Sequence, residues 1–203
     1  MLTNELKHKE KVMKSIFSSI TLIAVAAATA GLSTQAMAEA PEIKATAPII
    51  YLADNLDEAD KLGWCIDTVG AGFNEKIHSH SCKPYSGDDT SARSNDIKFS
   101  FNVETGQIAS HTFENKCVDL NDPENETVPF GLVDCTESES QKFVYAEDKG
   151  QLQLASDASR CVAVAPTSTS AGPFMSRSLM VKDCEGTDAL YTTWLIKALP
   201  EAK

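Results

Sequence analysis

Lys116-Cys117-Val118-Asp119-Leu120, then Gly131-Leu132-Val133-Asp134-Cys135, then Gln141-Lys142-Phe143-Val144-Tyr145: this stretch decides the fold, because each block recurs. The first returns as Arg160-Cys161-Val162-Ala163-Val164 and as Trp64-Cys65-Ile66-Asp67-Thr68. The second returns as the approach to another cysteine, Ile77 to Cys82 and Leu179-Met180-Val181-Lys182-Asp183-Cys184. The third is a pair of aromatic or apolar positions two apart, Phe99 and Phe101, Phe143 and Tyr145, Trp194 and Ile196. Gly106-Gln107-Ile108 and Gly150-Gln151-Leu152 follow Phe99 and Phe143 at one offset, and each glycine stands eleven residues before the next copy's first cysteine. Agreement at so many points with fixed spacing marks three internal copies of about 45 to 50 residues.

The local pattern within the copies is that of strands. Ile97, Phe99 and Phe101 alternate with Lys98 and Ser100, and Gln151-Leu152-Gln153-Leu154 alternates likewise. Turn-rich stretches separate them: Ser86-Gly87-Asp88-Asp89, Asn121-Asp122-Pro123-Glu124, and Pro166 to Pro173. No segment after residue 38 repeats with a helical period. A unit of roughly four strands is too small to bury its own apolar face, so three of them share one core. The expectation is an all-β, threefold pseudosymmetric fold.

Composition agrees with a folded domain and excludes two classes of partner. The chain has 203 residues, 42% of them hydrophobic and 23% charged, which suffices for a core. Lys and Arg number 18 against 29 Asp and Glu, a net charge of −11. That balance opposes nucleic-acid phosphates and anionic membrane surfaces alike. At the N-terminus Lys7, Lys9, Lys11 and Lys14 precede an apolar run from Ile16 to Ala30, and Ala36-Met37-Ala38 follows. This is the pattern of a signal peptide over residues 1–38, and Met13-Lys14 would open a shorter form of it. The run is shorter than the ~20 residues of a membrane-spanning helix. The reading is an exported protein, secreted or periplasmic, with a flexible leader at 39–47 and a β domain at 48–198. Its copies are about 48–106, 107–150 and 151–198. All six cysteines lie between Cys65 and Cys184, and an even count in an exported chain reads as three disulfides.

Taken together, these residues resemble the ricin B-type β-trefoil lectins, whose three repeats carry Cys-Leu-Asp, a later Cys and Gln-x-Trp. The resemblance runs from about Pro48 to Lys197. Gln141-Lys142-Phe143 keeps the Gln-x-aromatic form, while Ile97-Lys98-Phe99 and Thr192-Thr193-Trp194 stand at the other two positions. It implies a β-trefoil with the motif aromatics in the core and disulfides within copies: Cys65 with Cys82, Cys117 with Cys135, Cys161 with Cys184. It also implies a non-catalytic, glycan-binding module. In the resembled lectins the hydroxyl acceptor is the Asp two residues after the first Cys. A polar residue four before the second Cys, an aromatic platform two before it, and a polar residue ahead of Gln-x-Trp complete the pocket. Carried over, copy one offers Asp67, His78, His80 and Asp96, with His80 in the place of the platform. Copy two offers Asp119, Ser140 and Gln141, with Gly131 and Val133 where the polar and aromatic groups belong. Copy three has Ala163 for the Asp, beside Met180, Lys182 and Tyr191, and reads as scaffold. The plainer alternative for Asp67 and Asp119 is a hydrogen bond to a turn.

Metal and catalytic chemistry find little support. His78, His80 and Cys82 alternate on one strand face, but with Cys82 in a disulfide two imidazoles fall short of what Zn²⁺ takes. Asp119, Asp122, Glu124 and Glu126 lack a calcium-loop pattern. No cofactor is implied, and no nucleophile-elbow, phosphate-loop or zinc-protease motif is present. Two classes of function remain. One is a glycan-binding module, favoured by the retained Asp67 and Asp119. The other is a trefoil used for protein contact, such as a toxin accessory subunit, favoured by the degenerate second and third copies. An exposed loop from Val164 to Ser178 is the one hint of an inhibitor.

Overall fold

Each copy builds four equivalent strands, and copy three carries an added hairpin; the strands form one six-stranded and two four-stranded sheets. Copy one forms β1 (Ile49–Leu52), β2 (Trp64–Thr68), β3 (Ile77–Ser81) and β4 (Phe99–Phe101). Copy two forms β5 (Ile108–Ser110), β6 (Lys116–Leu120), β7 (Phe130–Asp134) and β8 (Phe143–Ala146). Copy three opens with β9 (Gln151–Leu154) and β10 (Asp157–Val164), inserts a hairpin of β11 (Thr169–Ala171) and β12 (Phe174–Arg177), and closes with β13 (Leu179–Asp183) and β14 (Trp194–Lys197). The computed structural model describes residues 39–84 and 91–200; the signal peptide expected over 1–38 and the Ser86-Gly87-Asp88-Asp89 turn lie outside the described residues. Helix among the described residues is limited to α1 (Ala92–Asn95) and two short 3₁₀ turns, Glu139–Gln141 and Ala189–Tyr191. No described helix is long and apolar enough to cross a membrane. The fold is an all-β trefoil with three internal repeats.

Strand register shows why the sequence repeats as it does. Cys65 pairs with His80 and Asp67 with His78; Cys117 pairs with Val133 and Asp119 with Gly131; Cys161 pairs with Lys182 and Ala163 with Met180. The three copies are thus equivalent residue for residue. Alternate residues on a strand point to opposite faces. Trp64, Ile66 and Ile77 therefore enter the core, while Cys65, Asp67, His78, His80 and Cys82 share the other face. On that face each copy is closed by its own disulfide: Cys65–Cys82, Cys117–Cys135 and Cys161–Cys184.

The motif aromatics Phe99, Phe143 and Trp194 are buried in one cluster with Trp64, Phe130 and Leu132. Buried indoles need a hydrogen-bond acceptor. Trp64 Nε1 donates to the Asn55 carbonyl at 2.8 Å, and Trp194 Nε1 to the Val162 carbonyl at 2.8 Å. The recurring glycines mark where one copy meets the next. Gly106 (φ +74°) receives the Phe143 N–H at 2.8 Å, and Gly150 (φ +64°) receives the Trp194 N–H at 2.6 Å. A Cβ on Gly106 would lie 2.7 Å from the Phe143 carbonyl oxygen, so both the backbone conformation and the contact require glycine.

The stretch expected as an exposed loop, Val164 to Ser178, is instead the β11–β12 hairpin. It turns on Gly172-Pro173, with Gly172 at φ +66°. β12 pairs with β3 of copy one, Ser176 opposite His80 and Arg177 opposite Ser79. The copy-one sheet thereby reaches six strands, in the order β11-β12-β3-β2-β1-β14. Buried Arg177 anchors the hairpin, stacking 4.7 Å over the Trp64 ring and pairing with Asp57. Ser81 Oγ also accepts the Met175 N–H at 3.1 Å.

Candidate functional site

Where the copy-three hairpin meets copy one, a cleft of about 550 Å³ opens. Gly70 and Ala71, in the turn after β2, form one wall. His78, His80 and Lys83 line its floor, Arg93 and Ser94 of α1 stand at the rim, and Phe174 of β12 closes the far side. The His78 and His80 rings are 5.5 Å apart, and Phe174 meets His80 edge to face at 5.4 Å. His80 Nδ1 lies 2.9 Å from the Ser81 carbonyl, so in the neutral ring it carries the proton and Nε2 is the acceptor. Burial holds both imidazoles below their ordinary range, His78 down to about 4 with His80 and Lys83 adding to the effect. Both are neutral at pH 7.

The two acids of copy one lie behind this wall. Asp67 is wholly buried, opposite His78, and Asp96 is buried beside it. Lys83 Nζ sits 2.6 Å from Asp96 Oδ1 and 2.8 Å from Asp67 Oδ2. It makes an aligned hydrogen bond only to Asp96; toward Asp67 it is an ion-pair neighbour, and neither Asp67 oxygen has an aligned donor. Asp96 Oδ2 accepts the Gly72 N–H at 3.1 Å, which pins the turn that carries Gly70 and Ala71. Burial pushes the Asp67 carboxyl up to about 8, against the pull of Lys83 and with Asp96 adding to the rise. The expected hydroxyl acceptors are therefore engaged with Lys83 and the cleft's own backbone. They position the site and do not line it.

The other copies differ at the same register positions. Asp119 accepts from Ser140 Oγ at 3.0 Å, and the Asn121 amide lies directly over Gly131. Gln141, expected at a sugar site, is buried and tied into a turn: its Oε1 accepts the Thr136 N–H at 2.7 Å and its Nε2 donates to the Asp134 carbonyl at 2.9 Å. In copy three Ala163 faces Met180 across the ladder, and Lys182 Nζ is 3.6 Å from Glu126. Among the described residues no group of three or more His, Cys, Asp or Glu is placed to hold a metal.

Copy one therefore gathers the expected Asp67, His78, His80 and Asp96 at one place, and adds three residues that the motif alone does not flag. Lys83 follows Cys82 directly; its signal is physical, since two buried acids require a cation. Arg93 arrives on α1. Phe174 comes from another copy altogether, and nothing local in Phe174-Met175-Ser176-Arg177 points to copy one.

No protein-family model matches the sequence, and no curated relative matches it. Solved structures do. The C-half of the earthworm R-type lectin, in complex with GalNAc, aligns at 11% identity and a TM-score of 0.50 over 74% of this chain and 98% of that one. The Vibrio vulnificus hemolysin/cytolysin β-trefoil lectin with N-acetyl-D-lactosamine bound aligns at 13% identity and a TM-score of 0.47, over 77% and 96%. GalNAc-T7 with UDP, GalNAc and Mn²⁺ aligns at 12% identity and a TM-score of 0.44 over 66% of this chain, which spans only 20% of that longer protein. At 11% identity the earthworm likeness is one of architecture: this chain has the β-trefoil fold of the R-type lectins.

Proposed function

We propose that the protein is an exported, non-catalytic glycan-binding module that receives a sugar in the copy-one cleft. One observation carries the reading: the cleft sets the ring of Phe174 against His80, which neighbours His78, beside a polar rim. A flat aromatic wall accepts the C–H face of a sugar, and convergent polar groups fix its orientation. Asp67 and Asp96 act through Lys83 and the Gly70–Gly72 turn, as positioning residues. Three disulfides and the signal-peptide pattern over residues 1–38 support export. The protein-contact reading has a separate feature in its favour. Half-exposed Phe73 packs on Phe113 at 5.3 Å with Lys116 over its ring, away from the cleft lining.

A glycan array followed by titration calorimetry tests the proposal. Phe174→Ala is expected to weaken binding about tenfold, the scale of an aromatic contact worth roughly 1.4 kcal/mol. Asp119→Ala leaves it unchanged. A folded wild type that binds no glycan, while a pull-down through the Phe73 face recovers a protein, moves the function to the second reading.

A further inference from the structure

We infer that the sugar unit entering the copy-one cleft carries a carboxylate. The inference rests on the glycan-binding reading and names its substrate class. A neutral sugar offers hydroxyl protons, and its recognition calls on protein acceptors as much as on donors. Here the two candidate carboxylates are withdrawn: Asp96 is engaged by Lys83 at 2.6 Å and by Gly72 N–H at 3.1 Å, and Asp67 is wholly buried against Lys83 at 2.8 Å. What the described lining presents is of the opposite kind. Arg93 stands exposed at the rim, Lys83 forms part of the floor, and no acidic residue is among the described lining residues. This in a chain whose net charge is −11. Lys83 is held in place by its two acids, which balance its charge, so the cation the cleft turns to solvent is Arg93, whose guanidinium is an exposed planar donor fork. Such a fork matches a carboxylate bidentately and a hydroxymethyl group poorly. A galactose ring and its uronic acid differ at that one carbon, so this pair isolates the effect.

Titration calorimetry with galacturonic acid oligomers, against galactose oligomers of equal length, decides the point. The acidic oligomer is expected to bind about tenfold more tightly at low salt, with most of that preference lost at about 0.5 M salt, where surface charges are screened. Arg93→Gln, at an exposed position, is expected to abolish the preference by lowering the acidic oligomer's affinity far more than the neutral one's, with the melting temperature unchanged. Equal or tighter binding of the neutral oligomer overturns the inference and leaves the glycan-binding reading standing. So does a preference that survives in Arg93→Gln, or a sulfated galactose oligomer that binds as tightly as the uronate. Failure of every oligomer to bind a folded protein overturns the glycan-binding reading and this inference with it.

Discussion

Replacing Asp67 with Asn probes the buried charge cluster behind the cleft, and pH supplies the readout. The groups facing Asp67 are Lys83, Asp96, and His78 and His80 on the neighbouring strand. Burial lifts the folded carboxyl to about 8, while the unfolded chain ionises it at its ordinary value of 3.8. Between those values the folded state holds a proton that the unfolded state has released. Stability therefore falls as pH rises, by about 1.4 kcal/mol per pH unit per proton. The two imidazoles work in the opposite sense. Burial depresses both, His78 to about 4, so below their ordinary 6.5 the unfolded state binds the extra protons and stability rises with pH. Two imidazoles outweigh one carboxyl on the acid side; near 6.5, where each unfolded imidazole is half protonated, the effects balance, and above it the carboxyl outweighs what the imidazoles still contribute. Stability should peak near pH 6.5 and drop on the order of 1 kcal/mol by pH 8. For a domain of this size that is roughly 2–4 °C in Tm. Asp67→Asn keeps the shape and removes the proton, so only the imidazoles remain and its Tm should rise slightly across that interval. Melts followed by circular dichroism at pH 5, 6.5, 8 and 9 give the result. A wild type with no decline from 6.5 to 8, or an Asn variant that declines as steeply, refutes the argument.

Three further outcomes follow from the scaffold. Gly106→Ala meets the Phe143 carbonyl oxygen at 2.7 Å with φ at +74°, and should cost about 1–3 kcal/mol in a urea melt; a neutral effect would mean that the copy junction is not built on this contact. Gln141→Ala strands the Thr136 N–H and the Asp134 carbonyl and should cost about 1–3 kcal/mol with no change in glycan affinity, whereas lost affinity at unchanged stability would return Gln141 to a binding site. Non-reducing peptide mapping should recover Cys65 with Cys82, Cys117 with Cys135 and Cys161 with Cys184, and removing any one pair should cost about 2–5 kcal/mol. A bridge between copies would break the register that makes them equivalent.

The fold was legible because it is written three times. Cysteine spacing and period-two alternation in each copy specify strands and their faces, and the ladder places the equivalent residues opposite one another, Asp67 with His78, Asp119 with Gly131, Ala163 with Met180. The site was legible in position and less so in chemistry. Asp67, His78, His80 and Asp96 do converge, yet whether a carboxylate faces a ligand or a cation depends on how far the chain carries Lys83 inward, which spacing does not encode. Phe174 was illegible for another reason: it acts on a copy to which it does not belong. The β11–β12 hairpin that delivers it is short and largely polar, so its pairing is set by β3 and by Arg177 over Trp64, both remote in sequence. Gln141 stood out as a motif residue, but its partners Thr136 and Asp134 make it the lock of a turn.

A threefold fold supplies three equivalent pockets, and what separates them here is the fate of one sheet edge. β7 and β13 each end their sheets. Their counterpart β3 does not, because β12 pairs with it. An open edge carries unpaired backbone groups, and covering it with a hairpin satisfies them. The extra length is tolerated because closing a slightly longer surface loop adds little entropy. The same hairpin walls the cleft with Phe174, and its Met175 backbone binds Ser81, the residue that follows His80. Edge protection and pocket construction are thus one structural event. Symmetry supplies the register, and a single insertion in copy three determines that copy one, and not its two equivalents, has a cleft with an aromatic wall.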